Sequence, residues 1–171
     1  QVVPPPPTAI ADEAVGAYLA ARQARYEYDF AAAAQYFTQA LTEDSSNPVI
    51  LENALVANMA LGKFDRAIPV ARKMEADDLR SQISHMALFV DAASNDDFDA
   101  LLTRIEDERG MGPLADGLIK AWAHLGNGDM STALGALGEV SEQRGLRGFA
   151  LYHKALALAS VGDFEGAEAI F

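Results

Sequence analysis

The chain has 171 residues, half of them apolar, carries a formal charge of −12 and contains no cysteine. That size and composition suit one folded domain with a real core, and they exclude disulfides and thiolate metal sites. With only 13 Lys and Arg spread along the length, nucleic acid and anionic membrane surfaces are disfavoured, and no apolar run reaches the roughly 18 residues that cross a bilayer.

Residues 1–11 read as an extended lead, because Pro4, Pro5, Pro6 and Pro7 lock φ and supply no backbone donors. The lead has no initiator Met and no apolar signal core, as expected at the start of a mature or trimmed product. Together with the acidic charge and the missing cysteine, it points to an exported, periplasmic bacterial protein, with the cytoplasm as the alternative.

The first helix is expected over Asp12–Tyr26, with Asp12 as its cap and Glu13 in its first turn. A second begins after Asp29. In it Ala33, Phe37 and Ala40 fall at i, i+4 and i+7 on one face, before an end near Asp44. Asn47 caps and Pro48 opens a third helix that runs to Leu61. Pro69 lies inside the fourth, which ends near Ala76, and predicts a late start or a bend. The fifth is expected over Leu79–Ser94, the sixth from Phe98 to Glu108, the seventh over Leu114–Leu125 and the eighth from Met130 to Gln143. Gly135 and Gly138 weaken the eighth by about 1 kcal/mol each relative to alanine, for which close helix approach is the expected reason. The ninth starts between Gly145 and Gly148 and ends at Val161, and the tenth is cut at Phe171. A stacked array does not end on an exposed half-helix without a polar cap, so the chain reads as part of a longer array.

One short phrase, Gly162-Asp163-Phe164-Glu165-Gly166-Ala167, organises these elements. Its aromatic recurs at Phe30, Phe64, Phe98 and Phe164, with Met130 standing in once, in steps of 34, 34, 32 and 34 residues. That is the period of a helix-turn-helix solenoid. From about residue 12 to residue 171 the chain resembles the tetratricopeptide repeat family. The family's second-helix pattern stands as Ala33, Phe37 and Ala40 and begins again as Ala167 and Phe171. It departs to Ala67, Ala71 and Met74, to Leu101 and Ile105, and to Ala133, Leu137 and Val140. Where first helices of the family prefer Trp, Leu, Gly and Tyr, this chain has Leu51, Ala54, Leu55 and Asn58, then His85, Leu88, Phe89 and Ala92, then Leu151, Lys154, Ala155 and Leu158. Leu55 and Phe89 stand where the family keeps a small residue, which predicts wider packing or a distorted superhelix there. The resemblance implies an all-α fold, a right-handed superhelical array of antiparallel helical hairpins. About four and a half repeats are expected, at about residues 12–46, 47–78, 79–112, 113–145 and 146–171.

In that family the first helices line a concave channel. Carried onto this chain, the resemblance implies a groove lined by Tyr18, Arg22, Arg25 and Tyr26, then Glu52, Val56 and Met59. Met86 and Val90 follow, then Leu118, Trp122 and Leu125, then Phe149, Tyr152 and Leu156. Chaperone-adaptor members hold a peptide's terminal carboxylate with Lys, Arg and Asn from their first helices. Beyond Arg22 and Arg25 no such set stands here, so that clamp is not expected. Trp122, Met59, Met86 and the aromatics suit the apolar stripe of a helix laid into a groove. The same helical spacing also suits core residues, and Arg22 and Arg25 equally suit a solvated face.

No catalytic constellation is present. Asp96-Asp97 with Asp99, and Glu106-Asp107-Glu108, lack the alternating spacing and Gly of a calcium loop. His85, His124 and His153 are far apart and form no HExxH helix. Gly126-Asn127-Gly128-Asp129 is no phosphate loop, and no GxSxG elbow occurs. The expectation is a non-enzymatic scaffold with no cofactor or metal, binding a protein or peptide, and neither nucleic acid nor a membrane interior. The groove's occupant is expected to be another protein, a further part of this same chain or a second copy, and two rivals stand beside the scaffold reading: a regulatory or assembly segment of a longer envelope protein, and a self-association module whose groove or cut end takes a second copy.

Overall fold

The computed structural model describes residues 7–170, with side chains described from residue 15 on. Residues 1–6 of the expected lead, and Phe171, lie outside them. Ten helices and no strand occur among the described residues: α1 (Pro7–Tyr26), α2 (Phe30–Glu43), α3 (Pro48–Ala60), α4 (Phe64–Ala76), α5 (Gln82–Ser94), α6 (Phe98–Glu106), α7 (Pro113–Gly126), α8 (Met130–Glu142), α9 (Arg147–Ser160) and α10 (Phe164–Glu168).

The repeated phrase is one turn made five times. Two residues before each aromatic, or before Met130, the backbone takes a positive φ: Tyr28 at 61°, Gly62 at 66°, Asp96 at 52°, Gly128 at 80° and Gly162 at 87°. The next N–H reaches back over the helix end, from Asp29 to Ala24 O (2.8 Å), Lys63 to Asn58 O (2.9 Å), Asp97 to Ala92 O (2.9 Å), Asp129 to His124 O (2.8 Å) and Asp163 to Leu158 O (3.0 Å). This left-handed closure satisfies carbonyls that the helix leaves open. Four of the five residues that follow are Asp, and each carboxylate accepts the N–H three residues on: Ala32, Ala100, Thr132 and Gly166. At Asp129 the Thr132 hydroxyl also donates, at 2.6 Å, and these bonds hold the carboxyl below its ordinary value. Lys63 makes no side-chain cap.

Several boundaries differ from expectation, for local reasons. Helix α1 begins at Pro7 and not at Asp12. Proline suits a first helical position, where its missing N–H costs nothing, so the lead turns helical before residue 12. Helix α4 starts at Phe64 and runs through Pro69 with no late start. Pro69 and Asp65, whose carbonyl it leaves open, are both exposed, so water can take the lost bond. Helix α5 starts at Gln82, because Asp78 (φ 55°) closes α4 and Leu79 N–H bonds Met74 O. Ser81 then caps it by accepting from Ser84 N–H (3.3 Å). Glu108 (φ 58°) ends α6 at Glu106 in the same way.

The chain forms two compact units, Gln1–Asp91 and Ala92–Phe171. In the first unit, α1, α2, α3 and α4 each pack on the next in order. Alanines at helical spacing, Ala17, Ala21 and Ala24 on α1, meet Ala33, Phe37 and Ala40 on α2 and Ile50, Ala54 and Ala57 on α3. Small side chains let the helix backbones come close, and Phe37, fully buried, supplies the bulk. A second cluster joins Leu51 and Leu55 to Ala67, Ala71 and Met74 of α4 and to Ala87 and Leu88 of α5.

In the second unit α6 packs on α7, α7 on α8, α8 on α9 and α9 on α10, and α7 also touches α9. Ala121, Ala136, Leu137 and Ala157 form its cluster, with Leu118, Leu125 and Met130 against it. Close approach occurs at Gly126, where a Cβ would meet the Phe98 ring, and at Gly117, where it would meet Val140. Gly135 and Gly138 face open space, so close packing is not their reason.

Candidate interaction surfaces

None of the fifteen residues expected to line the groove is fully buried: beside the twelve that follow, Glu52 is half-buried and Tyr26 and Leu156 are exposed. Tyr18, Val56, Met59, Val90, Leu118, Trp122 and Leu125 are half-buried, and Arg22, Arg25, Met86, Phe149 and Tyr152 are exposed. Met59 packs against the second cluster of the first unit, and Leu118 and Leu125 against the cluster of the second, so these three serve as supports for the core. The structure gathers others into two surfaces, one in each unit.

In the first unit an open depression of about 1200 Å³ lies between α1 and α3, and Tyr18, Arg22, Arg25, Tyr26 and Asn53 are among its lining. Tyr18 is anchored by an edge-on contact with Phe37 (ring centroids 6.4 Å, 63°), and the Arg22 guanidinium lies 5.9 Å from the Tyr18 ring centre. Arg25 Nη1 donates to Asn53 Oδ1. The Asn53 side chain is itself fixed, since Nδ2 donates to Val49 O at 2.6 Å and the residue is only 8% exposed. Leu19, Gln23, Tyr28 and Val49 complete the lining.

Sequence reasoning reached Tyr18, Arg22, Arg25 and Tyr26 and missed Asn53 and Tyr28. Asn53 could have been noticed as an amide inside the apolar run of α3, where an unpaired polar group is costly. Tyr28 occupies the turn position that holds glycine in three other hairpins.

In the second unit, Phe149 and Tyr152 are each 54% exposed and Leu156 39%, one stripe along α9. On the neighbouring α7, Trp122 Nε1–H donates to His153 Nδ1 at 3.0 Å, with the rings edge to face at 6.1 Å. The bond fixes the imidazole with Nδ1 as acceptor. His153 in turn lies edge-on to Tyr152 at 5.6 Å. Trp122, His153 and Tyr152 thus form one linked aromatic row beside Phe149 and Leu156. Sequence reasoning found Trp122, Phe149, Tyr152 and Leu156, and considered His153 only as a metal ligand. Among the described residues no group of three or more His, Asp or Glu is placed to hold a metal, and no helix is long and apolar enough to cross a membrane.

Comparison with family models, curated proteins and solved structures finds no match for this chain.

Proposed function

We propose that the chain is a tetratricopeptide-like, right-handed superhelical array that serves as a protein-interaction scaffold and binds the apolar face of a partner helix on its first helices. The observation that carries this is the α9 stripe of Phe149, Tyr152 and Leu156 beside Trp122. Large aromatics left in water cost free energy, and contiguous patches of them mark interaction sites. The row is also held in place before any partner arrives, by the Trp122–His153 bond. A preordered aromatic row loses little conformational entropy on binding. Trp122 is the only tryptophan, so its emission reports occupancy directly.

The test is titration with an amphipathic helix-forming peptide carrying Leu at i, i+3, i+4 and i+7. Trp122 emission is expected to shift on binding. Phe149→Glu is expected to weaken that binding by about tenfold or more, with the circular dichroism unchanged. Labelled peptide should lose its binding to Trp122→Glu. A stripe that binds no such peptide, or variants that bind as the parent does, would sink the assignment.

A further inference from the structure

We infer that His153 is a protonation latch on the α7–α9 surface: neutral, it holds Trp122 in the aromatic row, and protonated, it releases Trp122 and turns away an apolar partner. The inference rests on the reading of that surface as a partner site and adds its regulation. The bond itself is the first argument. Trp122 Nε1–H can only donate, and it donates to His153 Nδ1 at 3.0 Å, so the imidazole is neutral there with its proton on Nε2. A second proton on the ring lands on Nδ1 and sets two N–H donors against each other. Histidine is the side chain whose ordinary charge change falls between pH 5 and 8, and both rings are half-buried, within reach of solvent protons.

The repeat supplies the second. Asn53 and His153 each stand eleven residues before a turn aromatic, Phe64 and Phe164. At this one register position each accepts a bond from the preceding first helix, Asn53 Oδ1 from Arg25 on α1 and His153 Nδ1 from Trp122 on α7. An amide oxygen meets that need at every pH near neutrality. An imidazole meets it only while uncharged. What histidine adds at this position is a bond that acid breaks.

Charge is the third. The other titratable side chains on α9 and on the helices packed against it are Arg147, Tyr152 and Lys154 on α9, Asp116, Lys120 and His124 on α7, Glu139 and Glu142 on α8, and Glu165 and Glu168 on α10. Asp116 is taken up by the N–H groups of Met111 and Gly112, Lys120 pairs with Glu139 at 3.7 Å, and His124 acts on Asp129 at the turn. Among the described residues no carboxylate is bonded to or paired with His153, whose ring meets Trp122 and Tyr152. An imidazolium there stands without a counter-charge in a row that Phe149 and Leu156 continue. An apolar helix laid over it must strip water from that charge, which is costly. Binding is therefore intact while the ring is neutral and is lost as pH falls through the range in which it takes up a proton.

The test uses the full chain and reads Trp122, its single tryptophan. With no peptide present, Trp122 emission and the one indole N–H resonance are followed from about pH 8 to about pH 5.5, with circular dichroism checking that the helices persist. Both are expected to shift in one protonation step. The step is expected to vanish in His153→Asn, which sets an amide oxygen where Nδ1 stood, as Asn53 does, and to survive in His124→Gln. The long-range proton–nitrogen spectrum of the unaltered chain reads the ring directly, so the latch does not hang on a variant that folds poorly. A neutral amphipathic helix-forming peptide, with Leu at i, i+3, i+4 and i+7 and Gln elsewhere, is then titrated at both ends of the pH range. It is expected to bind about tenfold or more weaker at the acid end, and in His153→Asn that ratio is expected to fall near one whatever the variant's own affinity. A proton on His153 Nδ1 at the alkaline end, emission that is flat with pH, a step that persists in His153→Asn, or a peptide that binds the parent equally at both ends would each overturn the latch. A peptide that binds at neither end, while the Trp122 step is present and depends on His153, would sink the partner-site reading alone and still establish the latch.

Discussion

Asn58 and Asn53, one turn and a half apart on α3, show how a single amide can either support the fold or burden it. Both are buried, at 2% and 8% exposure. Each donates to the carbonyl four residues back, Asn58 to Ala54 O at 2.8 Å and Asn53 to Val49 O at 2.6 Å. Asn53 Oδ1 then accepts from Arg25, whereas Asn58 Oδ1 has no partner among the described residues. A buried acceptor left unmade costs about 1 to 3 kcal/mol, and an apolar group of the same shape removes that penalty. Asn58→Leu is therefore expected to raise stability by about 1 kcal/mol, read as a higher urea midpoint with an unchanged slope. A lower midpoint would show that the amide oxygen is satisfied or that the site cannot take the branched carbon.

At the scale of elements, the unit of construction is the hairpin turn with its Asp cap. Lys63 is the exception among five. Its backbone (φ −84°, ψ 66°) nonetheless matches Asp97 (−84°, 72°) and Asp163 (−83°, 73°), so a carboxylate there would meet the N–H groups of α4 without rearrangement. It would also replace a cation at a helix N-terminus with an anion. Lys63→Asp is expected to stabilise the chain by about 1 kcal/mol, and Asp97→Ala to destabilise it by a similar amount, both read from thermal midpoints. An unchanged midpoint for Lys63→Asp would mean that the first turn of α4 is already satisfied by water. The sign with pH follows from Asp129. Its carboxyl is held low by the Thr132 hydroxyl and N–H, so its cap is intact at neutral pH and is lost as pH falls through that lowered value.

For the whole molecule, α1 to α4 in the first unit and α6 to α10 in the second pack mainly on their neighbours in the chain, so stability is expected to be roughly a sum of neighbouring interfaces. Phe37 belongs to the cluster that ties α1, α2 and α3 together. Phe37→Ala is expected to cost about 3 to 5 kcal/mol. Hydrogen exchange should then show the loss of protection concentrated in α1, α2 and α3, with α7 to α9 retaining theirs. Uniform loss across all helices would show that the chain unfolds as one cooperative body.

The hairpins were legible in the residues because what specifies them is local. A 34-residue step, a positive-φ residue, an Asp cap and alanines at i, i+4 and i+7 each act through bonds that span a few residues. Helix ends were read less well at Leu79 and Glu108, since a left-handed closure competes with continued helix and periodicity carries no sign of which wins. The α9 stripe was visible as a spacing. Whether Phe149 and Tyr152 lay outside and Met59 and Leu118 leaned on a core was settled only by helix rotation and interhelix distance. Tertiary structure alone joined Arg25 to Asn53 and Trp122 to His153, partners 28 and 31 residues apart. A side chain's spacing names the face it occupies, but its partner depends on which neighbouring helix is turned toward that face.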